Sequence, residues 1–378
     1  MGNTVLQPDT EFIKDLMAAG AEDVKKCYQC ATCSVACELG DGAFPRRQMV
    51  AAQWGQKEKL LADPAPWLCF YCGECSKRCP RQANPGETMM ALRRYATAQY
   101  DWTGLARRMY GSAVWEIGVL LLVAAMVIAL FTVPQNFGFG LLRQHPEALQ
   151  TVRLDLFAPK HVVHRADWIM AIGLALLLLS NALRMFRALT RGKHVPLGVW
   201  LACLPGMVAD GLTQRRWAKC GESRMHWLRH LVLVTGYGTI FTLVVIFLPW
   251  FQVEDTGFHW TSLLGYYSTV VLLGSTGWIL LDRMGKRSEM HRFSELSDWL
   301  FPVLLFLTAL SGIALHIVRL ANEPMATYTI YTVHLAIAAP MLIVEVPFGK
   351  WAHLLYRPLA LYIAAAVNRS EAMDGYKE

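Results

Sequence analysis

Residues 27–37 read CYQCATCSVAC, and residues 69–79 read CFYCGECSKRC. Both runs have the spacing C-x2-C-x2-C-x3-C, and together they hold eight of the chain's ten cysteines. The stretch MGNTVLQPDTEFIKDLM at residues 1–17 lacks a basic segment followed by an apolar one, so we expect no cleaved secretion signal and cytoplasmic cysteines. In the cytoplasm, closely spaced cysteines bind metal more often than they form disulfides.

This spacing is typical of bacterial two-cluster ferredoxins, in which three cysteines of a run hold one [4Fe-4S] cluster and the fourth binds the other cluster. Pro80 follows the second run as in that pattern, whereas Glu38 follows the first. We therefore predict that the first cluster is held by Cys27, Cys30, Cys33 and Cys79. The second cluster is predicted to be held by Cys69, Cys72, Cys75 and Cys37. The alternative is zinc, which needs only four thiolates, but two complete runs favour iron–sulfur clusters.

The apolar residues are concentrated in the later part of the chain. Hydrophobic residues make up 54% of the sequence, and the mean hydropathy is +0.29. Residues 1–108 are mixed and polar, and their segments FPRRQMVAAQWGQKEKLL and PGETMMALRRYATAQY have helical spacing. We predict an all-α fold, with a cytoplasmic helical ferredoxin-like domain over 1–108 and a membrane domain over 109–378.

The membrane domain is predicted to cross the bilayer six times. Each candidate segment approaches the roughly 20 apolar residues that a bilayer core requires, and the segments lie at about 112–133, 166–189, 227–250, 260–282, 297–320 and 325–349. Residues 184–229 carry nine Lys or Arg against two acids, whereas 251–261 and 321–327 carry no Lys or Arg. Because basic loops face the cytoplasm, we expect both termini and the cysteine runs on the cytoplasmic side of a bacterial inner membrane. The segment 195–212 is apolar but short, and we expect it to be broken by Pro205 and to lie on the membrane surface or dip into it.

Several histidines fall at depths that suit haem ligands. Ionisable residues at membrane depth are candidates for function, and neutral imidazole is a common axial ligand of haem iron. We predict an outer b haem between His316 and His334, and an inner one between His230 and His353, with His226 as an alternative to His230. These histidines could instead hydrogen-bond neighbouring helices. No C-x-x-C-H motif occurs, which excludes covalent c-type haem on this chain.

Longer stretches resemble known families. The stretch from CYQCATC to CSKRCPR resembles the C subunit of heterodisulfide reductase. The stretch PFGKWAHLLYRPLAL resembles that enzyme's membrane cytochrome b subunit and, more distantly, the gamma subunit of respiratory nitrate reductase. A fusion of the two over nearly the whole chain is similar to the C subunits of quinone-interacting membrane-bound oxidoreductase complexes of sulfate reducers.

The resemblance implies cofactors and partners. They are two b haems, a menaquinone pool, two flavoproteins that resemble the A subunit of heterodisulfide reductase, and an indirect connection to adenylylsulfate reductase. His334 and His353 match the pattern of the nitrate reductase gamma subunit, with one extra residue between them. The gamma subunit has a further histidine at the position of Ile240, so the outer haem needs another ligand here, and His316 is our choice.

Two places could bind the quinone. The outer one gathers Arg319, Tyr328 and Tyr331 at the ends of the fifth and sixth segments, and their side chains could hydrogen-bond a quinone oxygen. Tyrosine is also enriched at membrane interfaces without such a role. The inner candidate is Glu345, a lone carboxyl in the sixth segment that could accept a proton. We expect the outer site.

These patterns predict an electron-transfer subunit. The chain has no dinucleotide fingerprint, no evident hydrolytic constellation and no predicted catalytic residue, and we expect no nucleic-acid partner. It would act as an oxidoreductase only within a complex, between quinone and the flavoprotein partners. The alternatives are a membrane subunit of a different heterodisulfide reductase-like or sulfite-reducing complex, and a redox sensor or scaffold that is not an enzyme.

Overall fold

The computed structural model describes residues 8–38, 43–132, 146–215, 224–254, 257, 259–287 and 291–374. The described residues form helices and connecting segments, without a β-strand, and six of their helices are long and apolar enough to cross a membrane. The prediction of an all-α fold with six membrane helices is confirmed. Residue 133 of the first predicted span and the two ends of the chain, 1–7 and 375–378, lie outside the described residues.

The cysteine-rich part is built from short helices around one longer one. Its helices are α1 (Thr10–Ala18), α2 (Thr32–Val35), α3 (Arg46–Gln53), α4 (Lys57–Leu61), α5 (Ala65–Leu68), α6 (Glu74–Lys77), α7 (Pro85–Tyr100) and α8 (Leu105–Gly111). Pro85 suits the first position of α7, because its ring fixes a helical φ angle and its missing N–H has no helical acceptor there. α7 contacts α1, α3, α5 and α6, and its Tyr95 ring lies 5.0 Å from that of Phe12. The long helix thus organises the core around both cysteine runs.

The membrane part is a bundle of long helices. Its helices are α9 (Ala113–Thr132), α10 (Leu154–Phe157), α11 (Lys160–Leu189), α12 (Leu197–Thr213), α13 (Arg224–Val245), α14 (Leu248–Phe251), α15 (Trp260–Met284), α16 (Leu296–Leu320), α17 (Pro324–Pro340), α18 (Val346–Phe348) and α19 (His353–Asp374). In the bundle, α11 contacts α13, α13 contacts α15, α15 contacts α16, α16 contacts α17, and α17 contacts α9. Large apolar side chains such as Leu121, Met126, Ile169 and Leu176 point outward and are more than 60% exposed, as lipid-facing residues would be.

The segment around Pro205 differs from its prediction. Leu197–Thr213 forms one helix that contains Pro205, so the expectation that this proline breaks the segment is wrong. A proline removes one helical hydrogen bond, and contacts with α19 support the helix. The Trp200 ring lies 5.2 Å from that of Tyr362, whose hydroxyl donates to the Trp200 carbonyl at 2.8 Å.

The sixth membrane helix ends in an irregular turn. α17 passes into a π-helical segment, Met341–Glu345, then into α18 and a 3-10 turn, Lys350–Ala352. Pro340 and Pro347 lie within this stretch, and neither can donate a backbone hydrogen bond. Gly349 is packed so closely against the carboxylate of Glu345 that a Cβ atom at this position would collide with it. The turn sets the direction of α19 and places His353 at the start of that helix.

Candidate functional site

The first cysteine group surrounds one pocket. Cys27, Cys30, Cys33 and Cys79 line it together, although Cys79 is 46 positions beyond Cys33 in the sequence. The remaining lining residues also come from the cysteine-rich part, and they are Tyr28, Gln29, Ala31, Thr32, Arg46, Pro80, Arg81 and Pro85. The fold therefore brings together the four thiols that the crossover rule assigns to one cluster.

The two cysteine loops have the same backbone conformation, 42 positions apart. Gln29 and Ala31 have φ angles of 67° and 66°, and the equivalent Tyr71 and Gly73 have 60° and 85°. Left-handed conformations are unfavourable for residues other than glycine, so three of these four positions are held by the loops around them. Each loop then enters a single helical turn, α2 or α6. Alternating right- and left-handed residues aim successive N–H groups into one concavity, as in many anion and iron–sulfur sites.

Each cysteine group has one buried, one exposed and two half-buried thiols. Burial raises the pKa of the Cys69 and Cys75 thiols, and at Cys75 the nearby thiols Cys69, Cys72, Cys33 and Cys37 raise it further. In the first group, burial raises the pKa of Cys33 to about 11, with help from Cys27, Cys30 and Cys79. Crowded buried thiolates need a positive centre to compensate them, and a bound metal supplies that charge. This chemistry fits both groups as metal sites.

Backbone donors reach some of the sulfurs. The Tyr71 amide donates to Cys69 Sγ and the Ala83 amide to Cys79 Sγ, each at 3.3 Å. Within the described ranges, no three Cys, His, Asp or Glu side chains converge on a point where one metal ion could bind them. The thiols of the first group line one pocket, and four thiols around a common space fit a cluster with one iron per thiolate.

The two inner histidines have the same tautomer. His353 Nδ1 donates to the Lys350 carbonyl at 2.6 Å, so its proton is on Nδ1 and the lone pair is on Nε2. Burial lowers the pKa of His353 to about 3, the nearby His230 lowers it further, and the ring is therefore neutral. His230 Nδ1 donates to the side-chain oxygen of Gln214, which gives the same tautomer. Both imidazoles fit the requirement for a metal-binding Nε2 with Nδ1 held by a hydrogen bond.

His226 is in the other tautomer. Its Nδ1 accepts a hydrogen bond from Arg229 Nη2 at 2.9 Å, which leaves the proton on Nε2. A protonated Nε2 has no lone pair for a metal. The geometry therefore favours His230 over His226 as the inner partner of His353.

The outer histidines face different partners. Ser311 Oγ donates to the Leu307 carbonyl at 2.7 Å and therefore accepts from His334 Nδ1 at 2.9 Å. Gly312 packs beside the imidazole, since a Cβ atom at this position would lie in van der Waals contact with the His334 ring, at 3.4 Å. His316 Nε2 instead bonds the Tyr266 hydroxyl at 2.8 Å. His334 fits a haem ligand in this conformation, whereas His316 would first have to release Tyr266.

The outer quinone candidates already have structural partners. The Tyr328 hydroxyl donates to the Ala148 carbonyl and accepts from the Arg153 amide, each at 2.9 Å. Arg319 donates to the Val253 carbonyl. The Tyr331 ring packs edge-on against Phe131 and Phe157, at centroid distances of 5.8 and 6.0 Å. Tyr328 and Arg319 thus hold connecting segments onto the outer end of the bundle.

Three carboxyl groups among the described residues, those of Glu116, Asp167 and Glu345, have a buried oxygen without a hydrogen-bond partner. Glu345 is completely buried, and neither of its carboxylate oxygens has a hydrogen-bond partner. Asp167 Oδ2 is likewise buried without a partner and lies close enough to Tyr331 to act on its hydroxyl electrostatically. Asp167 did not emerge from the sequence, because it lies near the start of a helix where a single carboxylate is unremarkable.

A buried chain of charged residues links the cysteine-rich part to the membrane part. Arg94 of α7 bonds Glu87 and Asp298, each at 3.0 Å, and Asp298 also bonds Lys350. The Tyr71 hydroxyl donates to Glu87, so the chain begins in the second cysteine loop. Sequence reasoning missed this chain, because Arg94 and Asp298 are 204 positions apart and neither lies in a motif.

The protein is similar to several curated proteins. A protein of Archaeoglobus profundus that is like the C subunit of heterodisulfide reductase is 37% identical over 117 residues, which are 29% of this chain and 61% of the relative. The C subunit of an H(2):CoB-CoM heterodisulfide,ferredoxin reductase of Methanothermobacter thermautotrophicus is 33% identical over 153 residues, which are 38% of this chain and 80% of the relative.

A shorter match covers 53% of the C subunit of a ferredoxin:CoB-CoM heterodisulfide reductase of Methanosarcina mazei, at 36% identity over 87 residues. No family model matches the chain. No solved structure matches it either. The two cysteine groups with matching loops agree with these relatives, and both support the resemblance of the cysteine runs to the C subunit of heterodisulfide reductase. The chain belongs to the family of proteins that are like the C subunit of heterodisulfide reductase.

Proposed function

We propose that this protein is the membrane electron-transfer subunit of a quinone-linked oxidoreductase complex. It would link the menaquinone pool, through two b haems and two [4Fe-4S] clusters, to cytoplasmic flavoprotein partners and through them to adenylylsulfate reductase. The observation that carries the proposal is the presence of two cysteine groups with the same loop conformation in one chain with six apolar helices. The cysteine-rich part would lie in the cytoplasm, beside the inner membrane.

The residues have distinct roles in this proposal. The thiols Cys27, Cys30, Cys33 and Cys79 would hold the first cluster, and Cys69, Cys72, Cys75 and Cys37 the second. His230 and His353 would hold the inner haem, while His334, with His316 after it releases Tyr266, would hold the outer one. When bound, clusters and haems each take up and release a single electron. The chain's own residues keep the thiols and imidazoles oriented and exclude water from the buried sites.

We expect His353→Ala to remove the inner haem and His334→Ala to remove the outer one, because each variant deletes an imidazole whose Nδ1 donates a hydrogen bond and whose Nε2 keeps a lone pair for iron. His316→Ala should also affect the outer site. The measurement is the haem content of the purified protein, together with its low-spin b-type absorbance bands at two potentials.

His226→Ala is the matched control for the inner site, since His226 lies one helical turn from His230 in the opposite tautomer. It should keep both haems. Retention of both haems in the double variant His316→Ala, His334→Ala would exclude the outer assignment, and loss of the inner haem in His226→Ala would exclude His230.

For the quinone we keep the outer site, with Tyr331 and Asp167 as its polar groups. Tyr331 lies among aromatic rings that suit an apolar head group, and Asp167 has a free oxygen that could accept a quinol proton. Oxidation of a quinol releases two electrons and two protons, so a proton acceptor on the outer side would let protons leave there while electrons move inward.

We expect Asp167→Asn and Tyr331→Phe to slow quinol-dependent reduction of the haems by about a hundredfold or more, the usual range for loss of one acid–base group. Glu345→Gln is the matched variant on the inner side, and it should leave this rate unchanged. Haem content is measured first in every variant. Normal rates in the two outer variants with a collapse in Glu345→Gln would move the quinone site inward.

A further inference from the structure

Helix α19 joins the inner histidine pair to the second cysteine loop. His353 is its first residue, and the helix contacts α5, which ends at Leu68 directly before Cys69. The contact is aromatic, since the Tyr356 ring lies 5.3 Å from Trp67 and 5.7 Å from Tyr100. The Tyr356 side chain is completely buried at this junction.

Arg357 lies between the two sites. It follows His353 by one helical turn, and its guanidinium carbon lies 4.6 Å from the centre of the Phe70 ring. Phe70 is the residue after Cys69, inside the second cysteine loop. The Arg357 charge is also close enough to Cys69, His230 and His353 to act on each of them electrostatically.

Further bonds fix the second loop in this place. Arg93 of α7 donates to the Pro66 carbonyl at 2.7 Å and to the Cys69 carbonyl. These bonds hold the second loop against the cysteine-rich part. The buried chain of charged residues runs from Tyr71 through Asp298 to Lys350. The Lys350 carbonyl accepts a hydrogen bond from His353 Nδ1. The first pocket, in contrast, is lined by residues of the cysteine-rich part, and beside it Tyr28 is 59% exposed.

We infer that the second cysteine site is the one that exchanges electrons with the membrane part, and that Arg357 is the positioning residue that couples it to the inner histidine pair. The inference rests on the proposed function and adds the order of its sites. A single electron would pass from the group that His230 and His353 would hold to the group that Cys69, Cys72, Cys75 and Cys37 would hold, with no bond made or broken. The first site then lies farther along, towards the cytoplasmic partner.

The positive charge of Arg357 favours the reduced form of both groups, because reduction adds a negative charge nearby. In Arg357→Gln we expect the potential of the second cluster to become more negative and its reduction from the haems to slow by about tenfold. Arg357→Lys keeps the charge but loses the flat contact with Phe70, so it should restore the potential and only part of the rate. If Arg357 only stabilised the fold, Arg357→Lys would not restore the cluster potential while leaving the reduction rate partly impaired.

Arg369→Gln is the control, since Arg369 is exposed on the same helix. It should change neither the potential nor the rate. An unchanged potential and rate in Arg357→Gln, at full cofactor content, would overturn the role of this residue.

The order of the sites is tested with Cys30→Ser and Cys72→Ser, which are exposed thiols at matched positions of the two loops. In the purified complex, Cys30→Ser should leave quinol-driven reduction of the second cluster intact, whereas Cys72→Ser should prevent reduction of the first. The reverse result would overturn the inference. If these variants do not assemble, pulsed EPR of the unaltered complex decides, because the inner haem must couple more strongly to the second cluster than to the first. Absence of haem or clusters from the unaltered complex would instead refute the proposed function.

Discussion

Replacing Cys79 by serine is expected to destroy the first iron–sulfur cluster and to leave the second in place. Cys79 is the last cysteine of the second run in the sequence. In the structure it lines the same pocket as Cys27, Cys30 and Cys33 of the first run. Serine lacks the thiolate that binds iron. Cys37→Ser should have the converse effect, since Cys37 lies close to Cys75.

Iron, labile sulfide and EPR spectra of the reduced, anaerobically purified complex measure both effects. The intact complex should contain about eight non-haem irons per chain, and each variant about four. Cys203→Ser is the control, because Cys203 is remote from both runs in the sequence. If Cys79→Ser removed the second cluster, or if the unaltered chain held zinc without sulfide, the assignment would be wrong.

Asp298→Ala is expected to lower the free energy of unfolding strongly, because Asp298 lies where the cysteine-rich part meets the membrane part. Asp298 is 4% exposed, bonds Arg94 at 3.0 Å and also bonds Lys350. Its side chain accepts from the Glu295 amide at 3.1 Å as well, and so caps the start of α16. Removing one partner of a buried ion pair leaves uncompensated charge, which costs about 3–5 kcal/mol.

Thermal unfolding and limited proteolysis in detergent measure this loss. The matched control is Glu58→Gln, because Glu58 pairs with Arg191 at 3.5 Å at the same junction while both side chains are 78% exposed. An exposed pair is worth less than about 1 kcal/mol, so the control should unfold close to the unaltered protein. Equal unfolding of the two variants would mean that the buried chain does not hold the parts together.

The sequence allowed much of this architecture to be predicted, because the deciding signals are local. Cysteine spacing marks both groups, and runs of about 20 apolar residues mark the spanning helices. The sequence also predicted that Cys79 lies beside the first run, because the fourth cysteine of each such motif belongs to the other cluster.

What could not be predicted depends on contacts between distant residues or on local geometry without a signature. The tautomers of His226 and His230 depend on Arg229 and Gln214. The sequence alone therefore could not decide which of the two histidines is the partner of His353. Pro205 was expected to break the segment 195–212, but packing against α19 outweighs the loss of one hydrogen bond. The bond between Arg94 and Asp298 joins two helices that sequence spacing alone does not bring together.

The most direct test of the central claim is an anaerobic redox titration of the purified complex, started with a menaquinol analogue and followed by optical and EPR spectroscopy together. We expect quinol alone to reduce two b haems with different potentials, and the EPR signals of two [4Fe-4S] clusters to develop with quinol as the only electron donor. Clusters that respond to dithionite but not to quinol, or a complex without b haem, would contradict the central claim.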